Sequence, residues 1–155
     1  MRLDRHWIST HIPHTGSMCL LDEVVSWNAS RVECKSATHR AADNPLRSHG
    51  RLGGACGIEY AAQAVAVHGA LVAGHTSKPT TGYLAGLRRV VLRVERLDDI
   101  ATDLWISGER LNGDDSTIVY EFSVHNQEQA FLTGRATIVL DAARFAPGAR
   151  AKSMP

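Results

Sequence analysis

The stretch Gly53-Gly54-Ala55-Cys56-Gly57-Ile58-Glu59-Tyr60-Ala61-Ala62-Gln63-Ala64 decides the fold. It reads as a glycine-rich start to a helix, with one acid about a turn inside a small-residue apolar run. From Ala55 to Val72, the residues Ile58, Ala61, Ala62, Val65, Gly69 and Val72 recur at helical spacing. The other faces carry Ala64, Ala66, Val67 and Ala70, with no Lys or Arg anywhere in the segment. A helix that is apolar all round is a buried one. Its wealth of Ala and Gly predicts that strands approach it closely, and Gly74 and Pro79 predict its end.

Working outward, the flanking segments read as strands. Met18 to Trp27 is a first strand, Asn28-Ala29-Ser30 a turn, and Arg31 to Thr38 an alternating second strand. Asp43 to Gly54 is rich in breakers and reads as a loop. After the helix come Leu84–Leu97, Leu104–Leu111, Thr117–His125 and Ala130–Leu140, with Asn112-Gly113-Asp114-Asp115 as a hairpin turn and Asn126-Gln127-Glu128 as a weaker one. Leu84–Leu97 places Val90, Leu92 and Val94 on one face and Arg89, Val91 and Arg93 on the other. The order is two strands, one long helix, then a meander. It predicts an α+β domain over residues 1–141, an antiparallel sheet wrapped around one central helix. Residues 142–155, rich in Ala, Arg, Gly and Pro, read as a flexible tail. A lone sheet around one helix leaves an edge and a helix flank uncovered, so a dimer is expected.

Composition narrows the function classes. The chain has 155 residues, 44% of them hydrophobic, and a formal net charge of +1. That size fits one domain, and that charge argues against a nucleic-acid partner. Three cysteines (Cys19, Cys34, Cys56) without CxxC spacing suit a reducing compartment. Arg2, Asp4 and Arg5 follow Met1 where a secretory signal would carry an apolar run, so a cytoplasmic location is expected. The apolar stretch Ala61–Ala73 contains Gln63 and His68 and reads as too short and too polar for a membrane span.

Chemistry centres on Glu59. A carboxylate among alanines, with no cation at i+3 or i+4, must be desolvated, paired or used. Gln63, one turn on, could hydrogen-bond it. Glycines at a helix start let a ligand reach backbone N–H groups, which makes Gly54 a candidate donor. His11 and His14 form an HxxH, but Pro13 breaks the helix that would align them, so no metal site is expected. No cofactor is implied either. Cys56 and His68 read as buried structural residues, and Asp22 as a turn anchor or an arginine's partner.

A second string, Ile12-Pro13-His14-Thr15-Gly16-Ser17-Met18-Cys19-Leu20-Leu21-Asp22, completes a pattern. With the first string it resembles the hotdog-fold dehydratases that act on 3-hydroxyacyl chains carried by acyl carrier protein, in the divergent branch associated with aryl polyene lipids. The resemblance spans roughly His11 to Leu140. It implies a hotdog fold, Glu59 as the helix acid within a Glu-Ala-x-Ala-Gln type segment, and Gly54, five residues before it, as donor to the thioester carbonyl. Gln63 joins the substrate-binding set. The family's histidine precedes the acid by fourteen residues, where this chain has Pro45. Either His49 serves from a shortened loop, or His14 of the Leu-Pro-His-like segment does, or neither. The implied reaction is loss of water from a 3-hydroxyacyl thioester on acyl carrier protein. The alternatives are a thioesterase acting on a CoA or carrier thioester, and a weak subunit that completes a heterodimer with another hotdog chain. Arg88, Arg89, Arg93 and Arg96 read either as a solvated strand face or as a docking patch for the acidic carrier.

Overall fold

The structure is a computed structural model that describes residues 3–14, 16–74, 82–114 and 116–140. The tail at 142–155 and the proposed helix stop at Pro79 lie outside them, as do Asp115 of the hairpin turn and Thr15 of the second string. The elements are α1 (Arg5–His11), β1 (Glu23–Trp27), β2 (Arg31–Ser36), α2 (Gly57–Ala73), β3 (Gly82–Leu92), β4 (Leu104–Gly113), β5 (Thr117–His125) and β6 (Ala130–Leu140). One six-stranded sheet runs in the order β1-β2-β4-β5-β6-β3, with every neighbouring pair antiparallel. α2 packs across β2, β4, β5 and β6.

Strand alternation builds the core. Val32, Cys34, Ile106, Phe122, Val124 and Leu132 point toward α2 and meet Tyr60, Ala61, Ala64 and Val67. The turns hold by side-chain chemistry. Asn28 Oδ1 accepts from the N–H groups of Ser30 and Arg31, both at 2.9 Å. Asp114 Oδ1 accepts from Ser116 and Thr117, both at 2.8 Å. Asx turns of this kind substitute for a backbone turn.

The first strand begins at Glu23 rather than Met18. Gly16–Met18 forms a 3₁₀ turn, and Cys19–Leu21 is buried outside the ladder. Side chains take its backbone bonds instead. Gln63 receives the Leu20 N–H at 2.8 Å and donates to the Met18 carbonyl at 2.7 Å. The hydroxyls of Ser36 and Thr38 donate to the Leu20 carbonyl. α1 had no counterpart in the sequence reading. It is seven residues long, too short to show a period, and Asp4 caps it by accepting from the Trp7 N–H at 3.0 Å.

The third strand also stops early, at Leu92. Beyond it the chain crosses to the residues before α2. Leu97 N–H donates to Leu52 O at 2.7 Å, and Gly54 N–H donates to Glu95 O at 2.8 Å. Asp98 locks the crossing. It accepts from the Leu52 N–H at 2.9 Å and pairs with Arg96, whose guanidinium holds the Asp98 carboxyl far below the usual carboxylate range. β3 is an edge strand, and all eleven of its residues are exposed.

The helix is not buried all round. Tyr60, Ala61, Gln63, Ala64, Val65, Val67 and His68 are buried, whereas Glu59, Gly69, Val72 and Ala73 are exposed. Ala62, Ala66 and Ala70 are half-buried beside them. One flank of α2 therefore faces away from its own sheet, as an uncovered helix in a single-sheet wrap must. The membrane argument also changes. Gly54–Ala73 is long and apolar enough to cross a membrane by length and composition, and the buried side of α2 rests on the sheet.

Candidate active site

Glu59 sits in the first turn of α2, where the helix dipole favours a negative group. Its side chain is exposed, and among the described residues no cation lies within ion-pair range. The expected burial of this acid is therefore absent within a single chain. Gln63 does not turn toward it. That side chain is 1% exposed and spends both ends of its amide on Leu20 and Met18. In this structure Gln63 is the clasp between α2 and the second string, which corrects its reading as a partner of the acid.

Gly54 is corrected in the same way. Its N–H is taken by the Glu95 carbonyl. The glycine is required because the crossing strand passes close: a Cβ here would collide with the Val94 carbonyl and lie 2.8 Å from Leu92 Cδ1. The residue shapes the helix start without offering a free donor.

The two histidines occupy very different places. His49 is exposed at φ +53 in a tight turn closed by Ser48 N–H to Arg51 O at 2.8 Å. Among the described residues, its ring's hydrogen-bond partner is the Ser48 hydroxyl, at 3.1 Å. His14 follows α1 and is half-buried. Its Nδ1 is shut off from solvent with no hydrogen-bond partner among the described residues, a costly state that needs a reason. His39 Nδ1 shares that state, but the His39 ring is fixed by donation from Nε2 to Ile100 O at 3.0 Å. No described hydrogen bond joins Glu59 to either candidate histidine.

A polar group absent from the sequence reading occupies the loop where the family's histidine would stand. Beside Pro45, Asn44 is 6% exposed; its amide donates to Tyr60 Oη at 3.0 Å and to Thr38 O at 2.9 Å. Thr38 Oγ1 lies 2.8 Å from the same phenol. Burial raises the Tyr60 phenol, which stays protonated and anchors the loop to α2. A lone Tyr in an alanine-rich helix was the available signal. Cys56 carries no thiolate character, since burial raises its pKa. Asp22 takes both roles expected of it, accepting from Ala37 N–H at 2.7 Å and facing Arg5 at 3.4 Å. The basic cluster divides: Arg96 is spent on Asp98 and Asp99, while Arg88 and Arg89 stay on the exposed edge.

One antiparallel sheet around one long helix, with an acid near the helix start, defines a hotdog-fold protein. A family model for the ApeP dehydratases matches residues 6–146, and the chain belongs to that ApeP-like dehydratase family. Among solved structures, the dehydratase heterocomplex ApeI:P from Xenorhabdus doucetiae is similar at TM-score 0.78 and 22% identity, covering 94% of this chain and 95% of that one. A thioesterase from Haemophilus influenzae is similar at TM-score 0.56 and 12% identity, with 76% of each chain covered. A hypothetical thioesterase with coenzyme A from Streptococcus pneumoniae gives TM-score 0.53 and 19% identity, covering 76% of this chain and 84% of that one. At these identities the structures speak for the fold alone. No curated protein matches the chain.

Proposed function

We propose that this chain dehydrates a 3-hydroxyacyl thioester carried by acyl carrier protein to the 2-enoyl thioester, in a site completed by a second hotdog subunit. The observation that carries the reading is Glu59: a carboxylate with no ion-pair partner among the described residues, on the flank of α2 that its own sheet leaves open. A second subunit set against that flank and the β3 edge would supply the burial a proton-holding acid needs. The edge suits such a partner. Tyr83, Leu84, Leu87, Val90, Val91 and Leu92 are each at least 38% exposed, on a strand whose outer backbone groups face no neighbour in the sheet.

In this site a histidine removes a C2 proton while Glu59, protonated, gives its proton to the C3 hydroxyl, which leaves as water. The C2–H electron pair becomes the C2=C3 double bond. The histidine then returns its proton to Glu59, so the enzyme is restored. His14 fits the base role better than His49, because its Nδ1 is buried and unengaged. Among the chain's own groups, the start of α2 offers the thioester carbonyl its dipole; the Gly54 N–H is already engaged.

The test is the purified chain, alone and with its partner subunit, given a 3-hydroxyacyl thioester while enoyl product and free thiol are followed. Enoyl product that disappears in Glu59→Gln supports the reading. Free thiol without enoyl product assigns a thioesterase. A second reading, that the chain chiefly completes the partner's site, is favoured by the solvent-tip position of His49 and by Asn44 and Pro45 in the histidine's loop. It predicts activity only in the mixture, unaffected by Glu59→Gln.

A further inference from the structure

The outer face of the sheet carries a row of charges that does not close at its edge. Across the strands the register aligns Arg31, Glu109, Glu121, Arg135 and Arg88. Arg31 pairs with Glu109 at 3.7 Å and Arg135 with Glu121 at 3.6 Å. Arg88 then stands directly opposite Arg135, like charge against like. Next to it the ladder breaks: Arg89 and Val90 together face the single residue Gly134. Arg89 takes φ +54 in this bulge, a conformation that favours glycine. It brings the Arg89 side chain over the same outer face, beside Glu121 and Arg135, in a concavity of about 500 Å³. Among the described residues, no carboxylate comes within ion-pair range of Arg88 or Arg89. Two unmatched guanidinium groups therefore sit on an edge strand that is otherwise apolar.

Self-pairing would make this worse. The midpoint of β3 is Leu87. A two-fold pairing centred there sets Arg88 across from Gly86 of the second copy, on the same outer face. It puts the two Arg88 residues about 8 Å apart from strand rise and spacing. Four arginines would then crowd one axis. Resting on the reading that β3 is the seam with a second hotdog chain, we infer that the Arg88–Arg89 bulge selects an unlike subunit, one whose own edge strand presents carboxylates at that point. The like-charged self-pair is the arrangement it rejects.

The experiment uses this chain and its charge-reversed form, Arg88→Glu/Arg89→Glu, as the acidic-edged probe. Each is measured alone and in equimolar mixture by native mass spectrometry at low and high salt. Random pairing leaves about half of the dimers mixed, whereas selection by charge at a strand seam makes mixed dimers about nine-tenths or more at low salt. High salt should return the mixture toward random. Random pairing at low salt overturns the inference. Gly86→Cys, where an added side chain meets nothing within 4 Å, reports the seam itself through a short bis-maleimide. Cross-linked dimers with random pairing overturn the charge selection and leave the seam standing; no cross-linked dimers overturn both. Unchanged assembly with lost binding of acyl carrier protein would assign the arginines to the carrier and overturn the inference.

Discussion

The two sides of α2 obey opposite rules. On the side against the sheet, every polar group named here has a partner. Gln63 holds Leu20 and Met18, Tyr60 holds Asn44 and Thr38, and His68 receives the Tyr120 phenol at 2.7 Å while donating to Asn28 O at 2.9 Å. On the open side, among the described residues, Glu59 has no cation in ion-pair range, and beyond it the β3 edge carries Arg88 and Arg89 unmatched. Buried polar groups without partners are expensive, so a fold keeps them satisfied where it is closed. His39 Nδ1 is an exception in the interior, whereas the unmatched charges of Glu59, Arg88 and Arg89 lie on the open flank and the sheet edge.

The largest effect that could break this contrast belongs to Glu59. Glu59→Gln keeps the shape and removes the proton. Turnover in the assembled enzyme should fall about 100-fold or more, about 2.7 kcal/mol of barrier. The melting temperature should stay where it was. A variant that unfolds early while retaining turnover would place Glu59 with the closed side.

Gln63→Leu probes the opposite case at nearly the same volume. It strands the Leu20 N–H and the Met18 carbonyl, so stability should fall by about 2 kcal/mol. The denaturation midpoint in urea measures it. Should stability hold while the KM for the acyl thioester rises, Gln63 belongs to the substrate after all.

These two residues show how far the sequence could be read. The helix, the meander and the hairpin turns were legible because period, length and Asn or Asp turn chemistry are local properties. Glu59 stood out because an acid with no helical partner is visible in one dimension. Gln63 and Gly54 misled because their partners lie far along the chain, 43 residues away at Leu20 and 41 at Glu95. Spacing from Glu59 says nothing about such contacts. The early stop of β3 has the same origin: Glu95 and Leu97 look like strand residues until Gly54 and Leu52 arrive to bond their backbones. His14 and His49 could be proposed but not ranked, since the orphaned Nδ1 of His14 is a property of packing.

A third test concerns pH and the buried histidines, His68 against α2's sheet side foremost. Burial, the largest cause, lowers the pKa of His68, with Arg110 adding to the effect and the Asn28 carbonyl opposing it. Burial lowers His39 and His125 as well. The unfolded chain therefore takes up these protons first, near pH 6.5. Stability is complete above that pH and declines below it, until the folded histidines protonate in turn. Each such histidine contributes a slope of up to about 1.4 kcal/mol per pH unit within that window. Urea unfolding at pH 7.5 and 5.5 should show the decline, and His68→Gln should reduce it. An unchanged slope in that variant would mean that His68 titrates alike in both states, and a steeper decline would mean that the fold holds it protonated.

The smallest effect lies at Arg89, and its sign is what matters. A bulge residue at φ +54 costs an L side chain on the order of 1 kcal/mol, which glycine would relieve. Glycine also gives the unfolded chain more freedom, which opposes the gain by about 0.5–1 kcal/mol. Arg89→Gly should therefore leave the stability of the single chain within about 1 kcal/mol of the original, unchanged or slightly raised. Closed-side substitutions do the reverse. Association with an acidic-edged partner should weaken in the same variant, because one of the two unmatched guanidinium groups is gone. Chemical denaturation at low protein concentration reads the first quantity, and salt-dependent dimerisation with the charge-reversed chain reads the second. If Arg89→Gly lost stability and kept its association, the strain at the bulge would serve the fold, and the division between the two sides of α2 would not extend to the strand edge.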